Sequence, residues 1–187
     1  MKYVIFVIDG AGDLPVSELG GKTPLMAAKK PNIDSIAKKG RCGLFKTIPD
    51  NFDTCSGVAN MSILGYDPVK YFSGRGVLEA ASMGIDIKDD EVAFRCNTIC
   101  VEDSKIKNHS AGHISNEEGH ILIKRLEHQL GNERIKFHPG ISYRHLLVLK
   151  GYSEKVICIP PHDHQGEDFR KLLPKAKSTE GEETEKM

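Results

Sequence analysis

The fold is decided near the start of the chain, where residues 3–13 read Tyr-Val-Ile-Phe-Val-Ile-Asp-Gly-Ala-Gly-Asp. An apolar run that ends in an aspartate and a glycine-rich loop is typical of a strand buried on both faces. In open α/β sheets, ligands bind beyond the carboxyl ends of such strands. The stretch therefore predicts an α/β fold with a functional site at Asp9.

The rest of the chain changes character near residue 76. Before that point, periodicity and turn residues predict a helix through Ile33–Ala37 that ends at Gly40, a short strand at 43–46, and a helix from Ser56 to Gly65. A helix over 77–83 follows, and the pattern then becomes rich in strands, at 92–101, 105–109, 134–138, 143–150 and 155–159. A capping box at Ser115 and Glu118 predicts one long helix among them, ending at Gly131. We therefore expect domains at 1–75 and 76–174, followed by a charged tail or truncated helix start at 175–187.

Composition and charge exclude several classes of protein. Of the 187 residues, 39% are hydrophobic, which is too many for a disordered chain. The 26 Lys and Arg balance the 26 Asp and Glu, so the chain has no bulk positive charge with which to bind nucleic acid. No apolar run reaches the roughly 18 residues of a membrane span, so no membrane partner is expected. Five cysteines at irregular spacing indicate reduced thiols and a cytoplasmic protein.

Asp9 and Ser56 are the first candidates for chemistry. A carboxylate at the end of a buried strand is costly unless a hard cation or backbone amides pair with it, although an aspartate that caps a turn fits equally. A serine hydroxyl at a helix N-terminus lies where anions bind, and a cation there would make it a nucleophile. The alternative is that Ser56 simply caps the helix.

Basic side chains form the second group of candidates. Arg75, Arg95 and Arg144 could hold a phosphate or carboxylate in the forked geometry of a guanidinium, or could be ordinary surface residues. His113 follows a glycine in a loop before the capping box, which is a suitable place for a ligand contact. The sequence His162-Asp163-His164 could hold a transition metal, but neighbouring residues on a strand point to opposite faces.

Taken together, these motifs resemble one enzyme family. The matching blocks are residues 8–13, 56–68, 74–80, 110–114, 140–145 and 160–163, in that order. They are similar to the archaeal-type cofactor-independent phosphoglycerate mutases, which belong to the alkaline phosphatase superfamily of metalloenzymes. The resemblance implies an incomplete alkaline-phosphatase-like α/β domain followed by a mixed α+β inserted domain.

The resemblance also implies a reaction and a set of roles. Such enzymes interconvert 3-phosphoglycerate and 2-phosphoglycerate in glycolysis and gluconeogenesis, with two divalent cations, manganese or magnesium and also cobalt or zinc. Asp9 and Ser56 resemble metal ligands, and Ser56 resembles the nucleophile that becomes a phosphoserine. His113, Arg144 and Arg75 resemble substrate-binding positions.

The chain departs from the family pattern in two ways. Gly57 occupies the position after the nucleophile, where the family usually has an acidic residue. Family members are also considerably longer, and their later part carries most of the metal ligands. We therefore expect a fragment, a truncated gene product or half of a split enzyme, with a complementary C-terminal chain or a second copy as its partner. Two other functions stay open: binding of a phosphorylated ligand without catalysis, and a phosphatase or phosphonate-processing reaction.

Overall fold

The computed structural model describes residues 1–8, 10–52 and 54–187. It divides the chain into two compact units, Met1–Lys46 and Thr47–Met187. Helices and strands occur together, and the predicted α/β class is confirmed. The finer domain bounds at 1–75, 76–174 and 175–187 stay a prediction. None of the described helices combines the length and the apolar character that a membrane crossing needs.

Among its described residues, the first unit contains two short α-helices and a 3-10 helix, Ser17–Leu19. Helix α1 (Pro24–Ala27) starts with the Thr23 hydroxyl accepting a hydrogen bond from the Met26 amide at 3.2 Å. Helix α2 (Pro31–Lys39) ends at Gly40, whose N–H donates to the Ile36 carbonyl. The helix predicted to end at Gly40 is therefore confirmed.

The strand predicted at residues 3–8 is wrong. These residues have no regular secondary structure, and each of their side chains is more than half exposed. Residues 43–46, the second strand predicted in this unit, also have none. A strand is defined by its hydrogen bonds to a neighbour, and the described part of the chain offers no partner strand to residues 3–8. A pattern of apolar residues reports a tendency to form a strand but cannot supply that partner.

The second unit contains five α-helices among its described residues. They are α3 (Ser56–Ile63), α4 (Pro68–Tyr71), α5 (Arg75–Ser82), α6 (Asn116–Leu130) and α7 (Glu182–Glu185). Helix α6 begins with the predicted capping box, in which the Ser115 hydroxyl accepts from the Glu118 amide and the Glu118 side chain accepts from the Ser115 amide. The helices expected over 56–65, 77–83 and 115–131 are thus confirmed.

The strands of the second unit form three antiparallel sheets. They are β1 (Glu91–Asn97), β2 (Cys100–Glu102), β3 (Lys105–Asn108), β4 (Ile135–His138), β5 (Arg144–Lys150), β6 (Val156–Ile157) and β7 (Lys175–Ala176). The main sheet has the order β1-β5-β4, and β2-β3 and β6-β7 are separate pairs. The single strand expected over 92–101 is divided, because β1 ends where its partner β5 begins, and β2 pairs with β3 instead.

Strand β5 lies at the centre of the main sheet and is covered on both faces. Leu146 and Val148 pack with Ala80 of α5 on one face. On the other face, His145 lies against Gly119 of α6. A strand that is buried on both faces has a continuous apolar run rather than an alternating one, which explains the sequence Leu-Leu-Val-Leu at 146–149.

Gly76 allows α5 to approach the sheet closely. A Cβ atom at this position would overlap the carbonyl oxygen of Ala93 in β1. Only a glycine permits this approach of helix to strand backbone. The contact fixes the N-terminus of α5, and therefore Arg75, beside β1.

The last residues are folded against the second unit. Thr184 in α7 is buried, and its hydroxyl accepts from the Ser153 amide at 3.1 Å and donates to the Ser153 carbonyl at 3.0 Å. Glu183 forms an ion pair with Arg134 at 3.1 Å.

Candidate functional site

Three arginines converge at one end of the main sheet. Arg75 is the first residue of α5, Arg95 lies in β1, and Arg144 begins β5 opposite Asn97. Burial lowers the pKa of Arg95, and the positive charges of Arg75 and Arg144 lower it further. Arg75 and Arg144 are therefore each close enough to repel the guanidinium of Arg95, which makes the arginine face (Arg75, Arg95 and Arg144) attractive to an anion.

Glu79 partly compensates the charge of the arginine face. Its Oε2 atom lies 3.7 Å from Nε of Arg95, and its negative charge raises the Arg95 pKa against the two neighbouring arginines. Both side chains are mostly buried, with 24% of Glu79 and 16% of Arg95 exposed. One carboxylate among three guanidiniums leaves positive charge for a ligand.

Tyr143 connects Arg144 with the histidines. Arg144 Nη2 donates to the Tyr143 hydroxyl at 3.2 Å, and the guanidinium lies 5.2 Å from the centroid of the tyrosine ring. The rings of His109 and His113 pack edge-on against Tyr143, with centroids at 6.1 and 6.3 Å. The structure therefore brings His113 and Arg144, which were identified separately from the sequence, into contact with the same tyrosine. Through Arg144, this tyrosine also contacts the arginine face.

The loop that carries His113 has an unusual backbone. Ala111 and His113 both have positive φ, at 49° and 58°. The Asn108 Oδ1 atom stabilises this loop by accepting hydrogen bonds from the amide and hydroxyl of Ser110 and from the amide of Gly112, at 2.8, 2.9 and 3.0 Å. Positive φ at residues other than glycine costs energy and is concentrated at functional sites, so this loop is a suitable ligand contact.

Several buried polar atoms near this site have no hydrogen-bond partner within the described residues. They are Nε of Arg95, Oδ1 of Asn97, Oγ1 of Thr98 and Nδ1 of His109. Thr98 is tied to the loop of Tyr143, because its amide donates to the Tyr143 carbonyl at 3.0 Å. Buried polar groups are normally paired, so this concentration marks a polar region suited to a polar ligand.

Ser56 lies at a helix N-terminus, as predicted. Cys55 is the N-cap, so Ser56 is the first helical residue rather than the cap, and its side chain is exposed. The first turn of a helix presents free backbone N–H groups, which favour an anion near the serine hydroxyl. The alternative in which Ser56 serves as the N-cap is therefore wrong.

Gly57, the residue after Ser56, packs against the helix that carries Arg75. A Cβ atom at residue 57 would lie 3.1 Å from Leu78 Cδ1 in α5 and 3.3 Å from Phe72 Cε2. These distances are shorter than ordinary van der Waals contacts, so the glycine fits tight packing between α3 and its neighbours. The acidic residue that the family usually has here would need those side chains to move.

The described residues do not fit a metal centre. Asp9, the predicted metal ligand, lies outside the described residues, so its pairing with Ser56 stays a prediction. In residues 1–8, 10–52 and 54–187, no three His, Cys, Asp or Glu side chains lie together as a metal site requires. His162 instead pairs with Asp163 at 3.2 Å, and His164 with Glu167 at 3.0 Å. We therefore derive no reaction step through a metal ion.

Sequence reasoning missed two members of the site. Tyr143 lies in the matching block 140–145, but only Arg144 was assigned a role there, and His109 received none. An aromatic residue directly before an arginine was the available signal, because arginine commonly stacks on aromatic rings. His109 had no comparable signal. It follows the end of β3, and its contact with Tyr143 depends on the folded structure rather than on nearby sequence.

Comparison with known proteins identifies the family. Residues 37–187 match the family model for 2,3-bisphosphoglycerate-independent phosphoglycerate mutase. The chain belongs to this family. The relatives include a mutase of the same name from Methanosarcina mazei, 54% identical over 181 residues, and a probable mutase from Geobacter sulfurreducens, 42% identical over 184 residues. The match covers 96% of this chain in both cases.

Solved structures agree with the assignment to the mutase family. A cofactor-independent phosphoglycerate mutase from Thermoplasma acidophilum is 31% identical, with a TM-score of 0.51, and the match covers 96% of this chain and 48% of that one. A protein from Pyrococcus horikoshii is also 31% identical, with a TM-score of 0.60, covering 75% of this chain and 35% of its own. The present chain spans only 46% of the length of the Methanosarcina and Geobacter mutases.

Proposed function

We propose that this chain supplies the substrate-binding face and the nucleophile of an enzyme that interconverts 3-phosphoglycerate and 2-phosphoglycerate. One observation carries the proposal: Arg75, Arg95 and Arg144 converge, in a chain of the mutase family, beside Tyr143 and His113. Phosphoglycerate carries a phosphate and a carboxylate, and guanidinium groups bind both in a forked geometry.

The arrangement suits a ligand that must be held while its phosphoryl group moves. Arg144 is oriented by the Tyr143 hydroxyl, so its guanidinium loses less freedom when it binds an anion. The backbone of the His113 loop is fixed through Asn108. We assign the carboxylate end of the glycerate to this region, where it would stay bound between two transfers.

Ser56 is the proposed acceptor of the phosphoryl group. In the first transfer, a bond forms between Ser56 Oγ and phosphorus, the bond from phosphorus to the C3 oxygen breaks, and the serine proton moves to that oxygen. In the second transfer, a bond forms between the C2 hydroxyl oxygen and phosphorus, the bond from phosphorus to Ser56 Oγ breaks, and the proton of the C2 hydroxyl returns to Ser56 Oγ. Reactants and products therefore balance without an external phosphoryl donor.

We propose that the divalent metals of this family, Mn²⁺ or Mg²⁺ and also Co²⁺ or Zn²⁺, neutralise phosphate charge when bound. Asp9 and Ser56 would contribute two of their ligands. The described residues offer no further set of ligands, so the others would come from sequence that the relatives have and these 187 residues do not span.

A complementary polypeptide is the proposed partner, and the exposed apolar run at residues 3–8 supports it. This run has the composition of a buried strand, and pairing with a strand of the partner would cover it. Self-association through the same residues is the competing outcome. We place the reaction in the cytoplasm, and the five free thiols are compatible with a reducing compartment.

The test is an assay of 2-phosphoglycerate formation with added Mn²⁺. It uses the chain alone and the chain mixed with a polypeptide that corresponds to the remaining half of the Methanosarcina mutase. We expect turnover only in the mixture and its loss in Ser56→Ala. Turnover that persists in Ser56→Ala would contradict the assigned nucleophile, and turnover by the chain alone would contradict the need for a partner.

A second function, binding without catalysis, is favoured by the lack of a metal-ligand set in the described residues. It predicts that 3-phosphoglycerate binds to the chain and that neither 2-phosphoglycerate nor free phosphate forms in any mixture. Release of free phosphate without 2-phosphoglycerate would instead indicate a phosphatase.

A further inference from the structure

Two histidines bind the backbone of Gly140, at the start of the loop that carries Tyr143 and Arg144. The Gly140 amide donates a hydrogen bond to Nδ1 of His145 at 3.1 Å. The Gly140 carbonyl accepts one from Nε2 of His120 at 2.9 Å. His120, on α6, is half-buried and in contact with this loop. The first bond requires an unprotonated Nδ1, because only its lone pair can accept.

The loop from Gly140 to Arg144 is strained and held at several points. Ser142 has a positive φ of 53°. Its amide donates to Asn116 Oδ1 at 2.7 Å, and its hydroxyl donates to the Ile114 carbonyl at 2.8 Å. A strained loop keeps its shape only while such contacts persist, so each of them bears on where Tyr143 and Arg144 lie.

His145 is the most deeply buried of these contacts. Its side chain has no exposed surface, and its ring packs against Gly119 of α6, where an added Cβ would lie 3.2 Å from the ring. An added Cβ at Gly119 would also lie 2.7 Å from the Ser142 carbonyl oxygen. The imidazole, the loop and α6 are therefore closely packed around the Gly140 contact.

We propose that His145 is a positioning residue, whose imidazole fixes the Gly140–Arg144 loop and thereby sets Tyr143 and Arg144 for anion binding. The proposal rests on the proposed phosphoglycerate site for its ligand, but the contact between Gly140 and His145 can be measured without any ligand. His145 follows Arg144 in the chain, but its ring packs against α6, on the face of β5 opposite to the one that contacts α5.

The contact should depend on pH. Burial lowers the pKa of His145 below its ordinary value of 6.5, and the nearby His120 lowers it further. The other titratable or charged groups around it are Cys96 opposite it in β1, His138 in β4 opposite the next residue, and Arg144 beside it in sequence. None of these carries a negative charge that would favour the protonated ring at neutral pH.

The lowered pKa of His145 determines how the free energy of unfolding changes with pH. Above pH 6.5 the ring is neutral in both the folded and the unfolded chain, and the bond to Gly140 is complete. As the pH falls below 6.5 the unfolded chain binds a proton first, so the free energy of unfolding decreases until the folded ring is also protonated. Protonation of the folded ring converts Nδ1 to a donor that faces the Gly140 N–H, so the loop is released.

The experiment follows the Gly140 amide and the His145 ring by NMR between pH 8 and pH 5 in the full chain. We expect the Gly140 amide resonance to shift along the same titration curve as the His145 ring. His128→Asn is the matched control, because His128 is an exposed histidine of α6 and its loss should leave that curve unchanged. A Gly140 amide that does not respond to His145 titration overturns the proposal.

Two substitutions separate positioning from simple packing. In His145→Asn, the amide oxygen can accept from Gly140 in place of Nδ1 without titrating. We expect its affinity for 3-phosphoglycerate at pH 7.5 to stay near that of the wild type. In the wild type, protonation of His145 should lower this affinity at low pH, and His145→Asn should lack that decrease. In His145→Phe, which fills the space without an acceptor, affinity should fall about tenfold. Equal affinity of a folded His145→Phe variant and the wild type would overturn the proposal.

Failure of the proposed function gives a different result. If the wild-type chain does not bind 3-phosphoglycerate but the Gly140 amide still follows His145, the phosphoglycerate site is refuted and the positioning contact is supported. Thermal unfolding of each variant establishes that the loss of affinity occurs in folded protein.

Discussion

The carboxylate of Glu79 should oppose ligand binding while it stabilises the free chain. It lies 3.7 Å from Nε of Arg95, whose pKa is lowered first by burial and then by the positive charges of Arg75 and Arg144. Glu79→Gln keeps the size of the side chain and removes its charge. The free chain then loses an attraction, whereas an incoming phosphate or carboxylate no longer meets a competing anion.

The size of both effects can be worked from this geometry. At 3.7 Å and an effective dielectric constant near 20, two unit charges attract by about 4 kcal/mol. Because both side chains are partly exposed and pay to lose water, we expect about 1–2 kcal/mol of this in the free energy of unfolding. For a chain of this length, that lowers Tm by roughly 3–6 °C. Affinity for 3-phosphoglycerate should rise by about fivefold.

Thermal unfolding without 3-phosphoglycerate measures the change in Tm, and the same experiment with 3-phosphoglycerate measures the change in affinity. Glu183→Gln is the matched control, because Glu183 pairs with Arg134 at 3.1 Å on a more exposed surface and should change Tm little. The reasoning predicts opposite signs for stability and affinity in Glu79→Gln. A variant that loses both stability and affinity would refute it, since Glu79 would then support the bound state as well.

Three further substitutions test the packing around the site by chemical denaturation. Gly76→Ala forces a methyl group onto the Ala93 carbonyl and should cost at least about 3 kcal/mol, and a variant as stable as wild type would contradict the close approach of α5 to β1. Gly57→Asp places its Cβ 3.1 Å from Leu78 Cδ1 and should cost about 1 kcal/mol, which Leu78→Ala in the same chain should partly recover. Ser115→Ala removes the N-cap of α6 and should cost about 1 kcal/mol, and no change in the denaturation midpoint would show that the capping box contributes nothing.

Local signals in the sequence were sufficient to predict α2, α3, α5 and α6, whereas α4 was not predicted. The capping box at Ser115, and the glycines after α2, α5 and α6, act within a few residues of the helix ends, so they are readable without knowledge of the fold. The prediction of a strand at residues 3–8 was wrong for the opposite reason, because it depends on a distant part of the chain. A strand forms only with a partner, and the apolar pattern carries no information on where that partner is.

The arginine face depended on pairing over a long range. Arg95 and Arg144 are brought together by the antiparallel register of β1 and β5, whose residues are about fifty positions apart. Each arginine could be proposed singly as an anion ligand, but their convergence could not be derived from spacing. The same pairing orients Tyr143, which explains why its role was missed. Asp9 stays a prediction, since the structure does not describe it.

The central claim, that the arginine face binds phosphoglycerate, is tested most directly by calorimetric titration of the full chain with 3-phosphoglycerate. The titration is repeated on Arg144→Gln and on Arg134→Gln, an arginine whose partners are Glu183 and Tyr152 instead. We expect saturable binding by the wild type, a loss of about 10- to 100-fold in Arg144→Gln, and little change in Arg134→Gln. Equal affinity in all three chains, or no binding by the wild type, would contradict it.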